Sequence, residues 1–333
     1  MAVYEIDPQK DSRWTELVAK DPRSSIFHTR EWLEALRQTY GYKATAFTTS
    51  EPRNPLVNGV VFCEVNSWLT GSRLVSIPFS DHCEPLVRDM RDLCELLCEI
   101  QKKTRPRLEY AEIRPRLAEL PSECDSLCYW QGYLHVIDLQ PDEQELYARL
   151  HKNSIQRKIR RAERELLTLE RGNSEALLKD FYHLLLLTRR RHHLLPQPFA
   201  WFRNLAKCCG ENLTIRLARA NGQPIASILT LQHKRTLIYK YGCSDARFHK
   251  TGAMPSLFWQ AIREGHSNGL LEFDLGRSEE TDSGLVRFKD RLGAQKVSLN
   301  IADDIALALR RELLRPYIIS LVKNCFPTYL ILY

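Results

Sequence analysis

The spacing of hydrophobic and polar residues predicts a clear order of elements in the second half of the chain. Residues 133–139 form an apolar run typical of a strand, and 141–171 reads as one long helical stretch that stops at Gly172. A second helix is predicted over 174–195, with a short helix near 199–209. Three apolar runs follow up to residue 243, and the turn signals between them predict a hairpin and a meander.

The remaining pattern completes a recognisable succession. Helical spacing at 253–269, a buried strand at 270–275, a short helix at 283–293 and a last strand at 295–301 follow in turn. The order β, α, α, β, β, β, α, β, α, β resembles the GNAT fold of N-acyltransferases.

The first half can be laid over the same template. Strands are predicted at 3–6, 43–50, 56–65, 73–78 and 108–115, and helices at 12–20, 29–41 and 88–104. The two halves therefore read as a repeat of one unit, detected by element order rather than by residue identity. We predict an α/β protein of two tandem GNAT domains, each a mixed, mostly antiparallel sheet flanked by helices. The predicted parts are an N-terminal domain at 1–132, a C-terminal domain with the active site at 133–303, and a helical apolar tail at 304–333.

The tail is apolar from 316 to 333, but Lys323 and Pro327 interrupt it. It is too short for a confident transmembrane helix, which needs about 20 apolar residues. Two interpretations stay open: the tail packs against the body of the protein, or it lies at the surface of the inner membrane, where its aromatic residues and its basic flank suit the headgroup region.

Composition narrows the class of protein. The chain has 333 residues, 44% of them hydrophobic and 27% charged, as expected for a globular protein with two cores. The N-terminus shows no signal-peptide pattern, and the ten cysteines form no C-x2-C pair, so we expect a cytoplasmic protein with reduced thiols and no metal. The net charge of +7 favours an anionic partner such as a phosphate, a nucleotide, tRNA or an anionic lipid.

The predicted fourth and fifth strands of the second half carry the first candidate chemistry. In a GNAT sheet these strands part, and the gap receives an extended acyl donor or another extended substrate. Tyr239 and Tyr241 are expected to point to the same side of the fourth strand, either as a core aromatic stripe or as a substrate wall. The loop "HKTGAM" resembles the pyrophosphate loop of acetyl-CoA-dependent members at Gly252 but has Met254 in place of a small residue, which argues against ordinary CoA use.

One segment carries a more specific resemblance. "FDLGRSEETDSGLVRFKDRLGA" at 273–294, with "YKYGCSD" and "KNSIQRKIRRAERE", resembles the Fem family of double-GNAT aminoacyl ligases and their relatives in exopolysaccharide systems. The likeness extends over nearly the whole chain. Fem ligases transfer an amino acid from aminoacyl-tRNA to the amine of a peptidoglycan precursor, and the lysine of the corresponding Phe-Lys pair lies at the reaction centre.

The resemblance implies that Lys289 stabilises the negative charge on the carbonyl oxygen of the acyl donor, with Phe288 shaping the pocket. A preorganised cation in a dry site can contribute on the order of 3 kcal/mol to such a reaction. Without the resemblance, a solvated helical lysine beside a core phenylalanine is the simpler interpretation.

Further substrate contacts are predicted at four positions. The resemblance places Asp81 where the ligases have an acidic residue of the acceptor site, and Arg277 in the segment of strongest likeness. Arg191 and His192, in the basic cluster "TRRRHH", are candidates for contacts with the acceptor or a phosphate. A role of His192 as a general base has no partner visible in the sequence.

Four arginines recur at helical spacing in the stretch 152–171: Arg157, Arg160, Arg161 and Arg164. They predict one basic helix face. This face is either simply solvated or binds tRNA or another polyanion.

These predictions favour an acyl- or aminoacyltransferase without a permanently bound cofactor, either cytoplasmic throughout or cytoplasmic and peripheral to the inner membrane. Its co-substrate is expected to be aminoacyl-tRNA or, alternatively, acyl-CoA or acyl-carrier protein. Its acceptor is expected to be an amine or hydroxyl of a peptidoglycan or exopolysaccharide precursor, as a glycan or a lipid-linked molecule. The alternative from another class is a non-catalytic polyanion-binding module on the same fold.

Overall fold

The structure is a computed structural model that describes residues 2–67, 71–104, 110–117 and 127–304. The chain divides into two compact units: the first ends at Gln131 and resumes at Leu299, and the second covers Gly132–Ser298. Each unit has its own sheet and its own apolar core, as detailed below.

The first unit contains a five-stranded sheet in the order β1-β2-β3-β4-β5. Its strands are β1 Tyr4–Ile6, β2 Ala44–Thr48, β3 Val60–Ser67, β4 Gly71–Val75 and β5 Tyr110–Glu112. Its helices are α1 Ser12–Lys20, α2 Arg30–Tyr40 and α3 Met90–Thr104. Neighbouring strands pair antiparallel except β4 and β5, which are parallel. This sheet is mixed and mostly antiparallel, as predicted.

Local sequence signals set the ends of α2. The hydroxyl of Thr29 accepts the backbone N–H of Trp32, which satisfies one of the free donors of the first turn. Gly41 ends the helix with a left-handed φ of 72°. The apolar side of the helix, including Trp32 and Leu36, is buried in the first unit.

A seven-stranded sheet in the order β12-β6-β11-β10-β9-β8-β7 lies mostly in the second unit, although β6 begins before Gly132 and β12 ends after Ser298. Its strands are β6 Leu127–Asp138, β7 Thr168–Gly172, β8 Leu213–Ala220, β9 Gln223–His233, β10 Thr236–Ser244, β11 Glu272–Glu279 and β12 Gln295–Asp304. Its helices are α4 Glu143–Arg149, α5 Arg157–Arg164, α6 Glu175–Arg191, α7 Phe199–Cys209, α8 Ala253–Ser267 and α9 Ser283–Arg291. Among the strands, β10 and β11 run parallel, whereas β6 pairs antiparallel with β11, and β7, β8, β9 and β10 pair antiparallel in succession.

The prediction of one long helix over 141–171 is wrong. The stretch holds α4, a π-helical turn at Lys152–Gln156, α5, and then the edge strand β7. Leu166 has a left-handed φ of 50° and reverses the chain after α5. Pairing of β7 with β8 decides the conformation of 168–172, because a short edge strand can take its stability from backbone bonds to its neighbour.

Helices cover both faces of the second sheet. One face packs against α5 and α8, with a core that includes Ile159, Leu257 and Phe273. On α6 and α7, Phe181 and Phe202 form an edge-to-face pair at 5.3 Å and are fully buried. The sheet is therefore a buried central layer, which keeps the strands that carry the candidate site rigid.

Within the described residues, no helix is both long enough and apolar enough to cross a membrane. The predicted tail lies outside those residues from position 305 onward.

Candidate functional site

The predicted parting of the fourth and fifth strands of the second unit is confirmed. Parallel pairing of β10 and β11 runs from Thr236 opposite Glu272 to Ile238 opposite Asp274, and the two strands share no further register pair. Both strands nevertheless continue, to Ser244 and Glu279. Their carboxyl-terminal halves diverge from that point and open the sheet.

A bulge in β11 lies directly beyond the last paired residue. The register between β11 and β6 shifts between Asp274 and Arg277, which turns the intervening backbone out of the ladder. Gly276 takes a left-handed φ of 73°, and its N–H donates to Oδ1 of the buried Asp274 at 2.7 Å. This bulge presents the carbonyl groups of Gly276 and Arg277 to α9.

Lys289 of α9 is fixed on this bulge. Its Nζ donates to the carbonyl oxygens of Gly276 and Arg277, both at 2.9 Å, and only 3% of the residue is exposed. The interpretation of Lys289 as a solvated helical lysine is therefore wrong. Charge-assisted hydrogen bonds to two backbone carbonyls hold the ammonium in one position at the parted strands. The cation is therefore already in place before a substrate binds, which is what a preorganised oxyanion stabiliser requires.

Phe288 supports the same helix from the other side. Its half-buried ring meets Phe258 of α8 edge to face, with 5.5 Å between ring centroids. The contact docks α9 onto α8 and so fixes the direction in which Lys289 projects. The role of Phe288 in shaping a substrate pocket stays a prediction.

The expectation that Tyr239 and Tyr241 share one side of β10 is wrong. The register with β9 shifts between them, so Lys240 is an extra residue and the two-residue alternation breaks. Tyr239 packs on Phe258 of α8 at 4.9 Å, whereas the hydroxyl of Tyr241 accepts the indole N–H of Trp201 of α7 at 2.9 Å. Of the two rings, Tyr239 lies with Phe258 and Phe288, and Tyr241 belongs to the core of the opposite face.

A basic cluster lies at the end of β10. Nη1 of Arg191 donates to the carbonyl of Ser244 at 3.0 Å, and the Ser244 hydroxyl is 3.0 Å from Nε2 of His249. Partial removal from water, followed by the charges of Arg191 and Lys158, lowers the pKa of His249. His192 is exposed at the end of α6 and adds to the same positive field. The structure thus brings the two predicted phosphate contacts together with two further basic groups.

This basic cluster adjoins the start of α8. Gly252 precedes the helix with a left-handed φ of 87°, and a Cβ at this position would lie 2.0 Å from the carbonyl oxygen of Lys158 on α5. The glycine therefore serves the close approach of two backbones. Pro255 has no N–H and Ala253 donates its own to the Thr251 hydroxyl at 3.4 Å, so the favourable setting for an anion comes from the nearby cations and not from the N–H groups of the first helical turn.

Asp81 lies in the first unit, in a strained loop after β4. Ile77 and Phe79 have left-handed φ values of 55° and 61°, which are costly for such side chains. Arg114 and Ser80 hold the loop, since Nη1 of Arg114 donates to the Ser80 carbonyl at 2.7 Å and the Ser80 hydroxyl donates to Ile77 at 2.8 Å. Asp81 is half-buried there. Its role in acceptor binding stays a prediction.

The four arginines of the predicted basic face are all exposed on α5: Arg157, Arg160, Arg161 and Arg164. The opposite side of the helix is buried through Ile159 and Ala162. Arg161 pairs with Glu165 at 3.1 Å, and both side chains are largely solvated. The basic face exists, although the helix is shorter than predicted.

Sequence reasoning missed two polar groups beside Lys289. His135 of β6 is fully buried, and its Nδ1 lies 3.7 Å from Oδ1 of Asp290, the residue after Lys289. Burial, with a further contribution from the charge of Lys289, lowers the pKa of His135 to about 4. A single histidine inside an apolar strand gives no sequence signal, since a core histidine is indistinguishable from a functional one. Within the described residues, no group of three or more His, Cys, Asp or Glu side chains could hold a metal ion.

Comparison with known proteins defines the class. Residues 149–290 match the model of an acetyltransferase (GNAT) domain. The match covers the parted strands, the basic cluster and all but the last residue of α9, so this part of the second unit is similar to a GNAT domain. A sequence comparison with curated proteins gives no match.

Solved structures extend the likeness to both units. FemX covers 90% of this chain and 97% of its own, with a TM-score of 0.69 and 13% identity. The C-terminal domain of a putative lysylphosphatidylglycerol synthetase from Agrobacterium fabrum covers 91% and 95%, with a TM-score of 0.60 and 16% identity. A tandem GNAT protein from the clavulanic acid biosynthesis pathway covers 91% and 98%, with a TM-score of 0.55 and 8% identity. The chain has the tandem GNAT fold, and the predicted resemblance to Fem-type double-GNAT proteins is confirmed for the fold.

Proposed function

We propose that this protein is an acyl- or aminoacyltransferase that acts on an amine or hydroxyl of a cell-envelope precursor. One observation carries the proposal: the ammonium of Lys289 is buried and fixed on the β11 bulge, where β10 and β11 part. Attack on an ester or thioester carbonyl creates an oxyanion, and a cation already in place stabilises it without reorganisation.

Aminoacyl-tRNA is the donor that we favour. The pyrophosphate loop of CoA-dependent GNAT proteins is degenerate at Met254, while α5 presents exposed arginines suited to a polyanion. FemX and lysylphosphatidylglycerol synthetase are among the proteins of similar structure, and the second name specifies an aminoacylated phospholipid. Acyl-CoA or acyl-carrier protein is the alternative donor, supported by the basic cluster at the start of α8.

The acceptor is proposed from the same neighbours. A peptidoglycan or exopolysaccharide precursor offers an amine or a hydroxyl, and a lipid-linked precursor would bring the protein to the inner membrane surface. Arg191 and His192 are proposed to contact a phosphate of the donor or acceptor, and Arg277 to contact the substrate from β11. Tyr239 is proposed to line the site beside Phe288, whereas the buried Tyr241 is assigned to the core.

The test is a donor screen. Purified protein is incubated with tRNA charged with labelled amino acids and, in parallel, with labelled acyl-CoA, using hydroxylamine as an amine probe. Hydroxylamine cleaves both kinds of donor slowly by itself, so we expect hydroxamate above the rate without protein from one donor class only, and a large loss of this excess in Lys289→Met. The matched control is Lys179→Met, since Lys179 is an exposed helical lysine of the same unit. A wild-type rate equal to the rate without protein for every donor would refute the proposal.

A second candidate function rests on α5 alone. Its exposed arginines could make the protein a non-catalytic module that binds RNA or anionic lipid. Replacing Arg157 and Arg164 with Ala should lower tRNA affinity and reduce the salt slope by about one unit per lost phosphate contact. Arg203→Ala, at an exposed arginine of α7, is the control. Tight tRNA binding without any transfer would favour this second function.

A further inference from the structure

His135 is a buried imidazole whose two ring nitrogens have no hydrogen-bond partner. Leaving a buried polar atom unpaired costs about 1–3 kcal/mol. An apolar residue could fill this position in the strand at lower cost. A buried histidine without hydrogen bonds is therefore a candidate for a group that gains a hydrogen-bond partner during a reaction.

Asp290 is the nearest acidic partner of this ring. Its Oδ1 is buried without a hydrogen bond and lies 3.7 Å from Nδ1 of His135. Its Oδ2 lies 3.1 Å from Nζ of Lys296, and this ion pair orients the carboxyl group. A movement of less than about 1 Å would make an Nδ1–H···Oδ1 hydrogen bond. The lone pair of Nε2, a buried atom without a hydrogen-bond partner, would then face no competing donor.

The position of His135 relates it to Lys289. His135 lies on β6, beside the β11 bulge that holds the ammonium, and Asp290 follows Lys289 on α9. The charged groups that act on the ring come from three elements: Lys289 and Asp290 on α9, Lys296 on β12, and Asp274 on β11. The ring is thus in the electrostatic field of the proposed oxyanion stabiliser.

A second unsatisfied group faces the same side of the sheet. Ser278 of β11 stands opposite Tyr133 of β6, and Tyr133 shares a face with His135 through the two-residue alternation. The Ser278 hydroxyl is buried and has no hydrogen-bond partner. His135 and Ser278 on the sheet and Asp290 on α9 therefore each carry a buried polar atom without a hydrogen-bond partner.

We propose that His135 is the general base of the transfer reaction and that Asp290 is its positioning residue. The inference rests on the proposed function and adds the proton acceptor that it lacks.

In the proposed reaction, each bond that forms is matched by a bond that breaks, and the proton passes from the acceptor to the leaving group. The acceptor nitrogen or oxygen forms a bond to the donor carbonyl carbon, and the carbonyl electron pair moves to the oxygen stabilised by Lys289. The proton lost by the acceptor passes to Nε2 of His135, directly or through one water. When the intermediate collapses, the C–O or C–S bond to the donor breaks, and the imidazolium returns the proton to the leaving group.

The resting electrostatics suit this sequence. The ring is neutral at pH 7, so the base form is present before attack. As negative charge develops near Lys289, it offsets the field of the ammonium at His135, and the ring becomes more basic when the proton must be accepted. The carboxylate of Asp290 stabilises the imidazolium that results.

The first measurement uses the wild-type protein without substrate. Nitrogen NMR of the imidazole reports which ring atom carries the proton at pH 7. We expect the proton of His135 on Nδ1, toward Asp290, and a shift of that signal in Asp290→Asn. A proton on Nε2 in the wild-type protein would overturn the proposal.

The second measurement is kinetic, with the donor found in the screen and hydroxylamine as acceptor. His135→Gln should lower kcat about 10²- to 10⁴-fold with little change in donor KM. Asp290→Asn should also lower kcat, and the double variant should be no slower than His135→Gln, because Asp290 acts through His135. His266→Gln is the control, since His266 binds the Leu139 carbonyl away from this site.

The outcomes separate the two proposals. If the wild-type protein transfers nothing, the proposed function fails and the base role fails with it. If the wild-type protein is active and His135→Gln matches His266→Gln, this inference alone fails. Losses that multiply in the double variant would also contradict it, because a merely structural role gives independent effects. Unchanged thermal unfolding of the variants ensures that lost turnover reports chemistry.

Discussion

Acidification should destabilise the first unit through His28, and the magnitude follows from its contacts. Nδ1 of His28 accepts the backbone N–H of Ser25 at 3.0 Å, so Nε2 must carry the proton that it donates to the Glu84 carbonyl at 2.8 Å. Protonation of Nδ1 would break the first bond. Burial lowers the pKa of His28 from 6.5 to about 4.

The sign follows from proton binding. Between pH 6.5 and pH 4 the unfolded chain takes up a proton that the folded chain refuses, so stability falls as the pH falls through this range. The lowered pKa of His28 corresponds to a decrease of about 3 kcal/mol in the free energy of unfolding of the first unit between pH 6.5 and pH 4. Above pH 6.5, both states are neutral at His28 and its contribution is constant.

The assay must report on the first unit alone. The protein is equilibrated in urea at each pH and pulse-labelled by hydrogen exchange at one fixed pH, and the protection of α2 and β3 is read by mass spectrometry. His28→Gln should be less stable than the wild-type protein at pH 7 but should lose about 3 kcal/mol less on acidification. His183→Gln, at an exposed histidine, should behave as the wild-type protein does. Equal acid dependence in wild type and His28→Gln would refute the reasoning.

Two further substitutions test the fold around the site by urea unfolding. Gly252→Ala should lower the free energy of unfolding by about 3 kcal/mol or more, because its Cβ would meet the Lys158 carbonyl oxygen at 2.0 Å and the backbone there is left-handed. Gly222→Ala is the control, since the backbone is also left-handed but nothing lies within 4 Å of the added Cβ, and it should cost about 1–2 kcal/mol. Similar losses in the two variants would contradict the close approach of Gly252 to Lys158. Tyr241→Phe should cost about 0.5–1.5 kcal/mol because it removes the hydrogen bond that the Trp201 indole N–H donates to the Tyr241 hydroxyl, and a neutral effect would show that this bond contributes nothing.

Element order was predictable in the second unit because each buried element has its own apolar periodicity. The strand at 270–275 and the helix at 283–293 correspond to β11 and α9. The edge strand β7 was not predictable, since Thr168–Gly172 follows a helical charge pattern and becomes a strand through its pairing with β8. The bulge at Lys240 was not predictable from the sequence either, and the side chains of Tyr239 and Tyr241 point to different sides of β10 because of it.

The candidate site was predictable only in part. The Phe288-Lys289 pair was identified through a resemblance to a known family. The burial of Lys289 depends on the β11 bulge, which Gly276 permits, and a single glycine in a strand does not predict such a bulge. His135 and Asp290 are far apart in the chain and meet through the register of β6 and the docking of α9. Sequence patterns report local periodicity, whereas this pair is a tertiary contact.

The most direct test of the central claim is single-turnover transfer from a pre-bound donor by the wild-type protein, Lys289→Met and Lys179→Met. The account predicts a rate about 10²- to 10³-fold lower in Lys289→Met, as for the loss of an oxyanion donor, with donor affinity unchanged and with Lys179→Met equal to wild type. Equal rates in Lys289→Met and the wild-type protein would show that this ammonium only holds the bulge and would contradict the account.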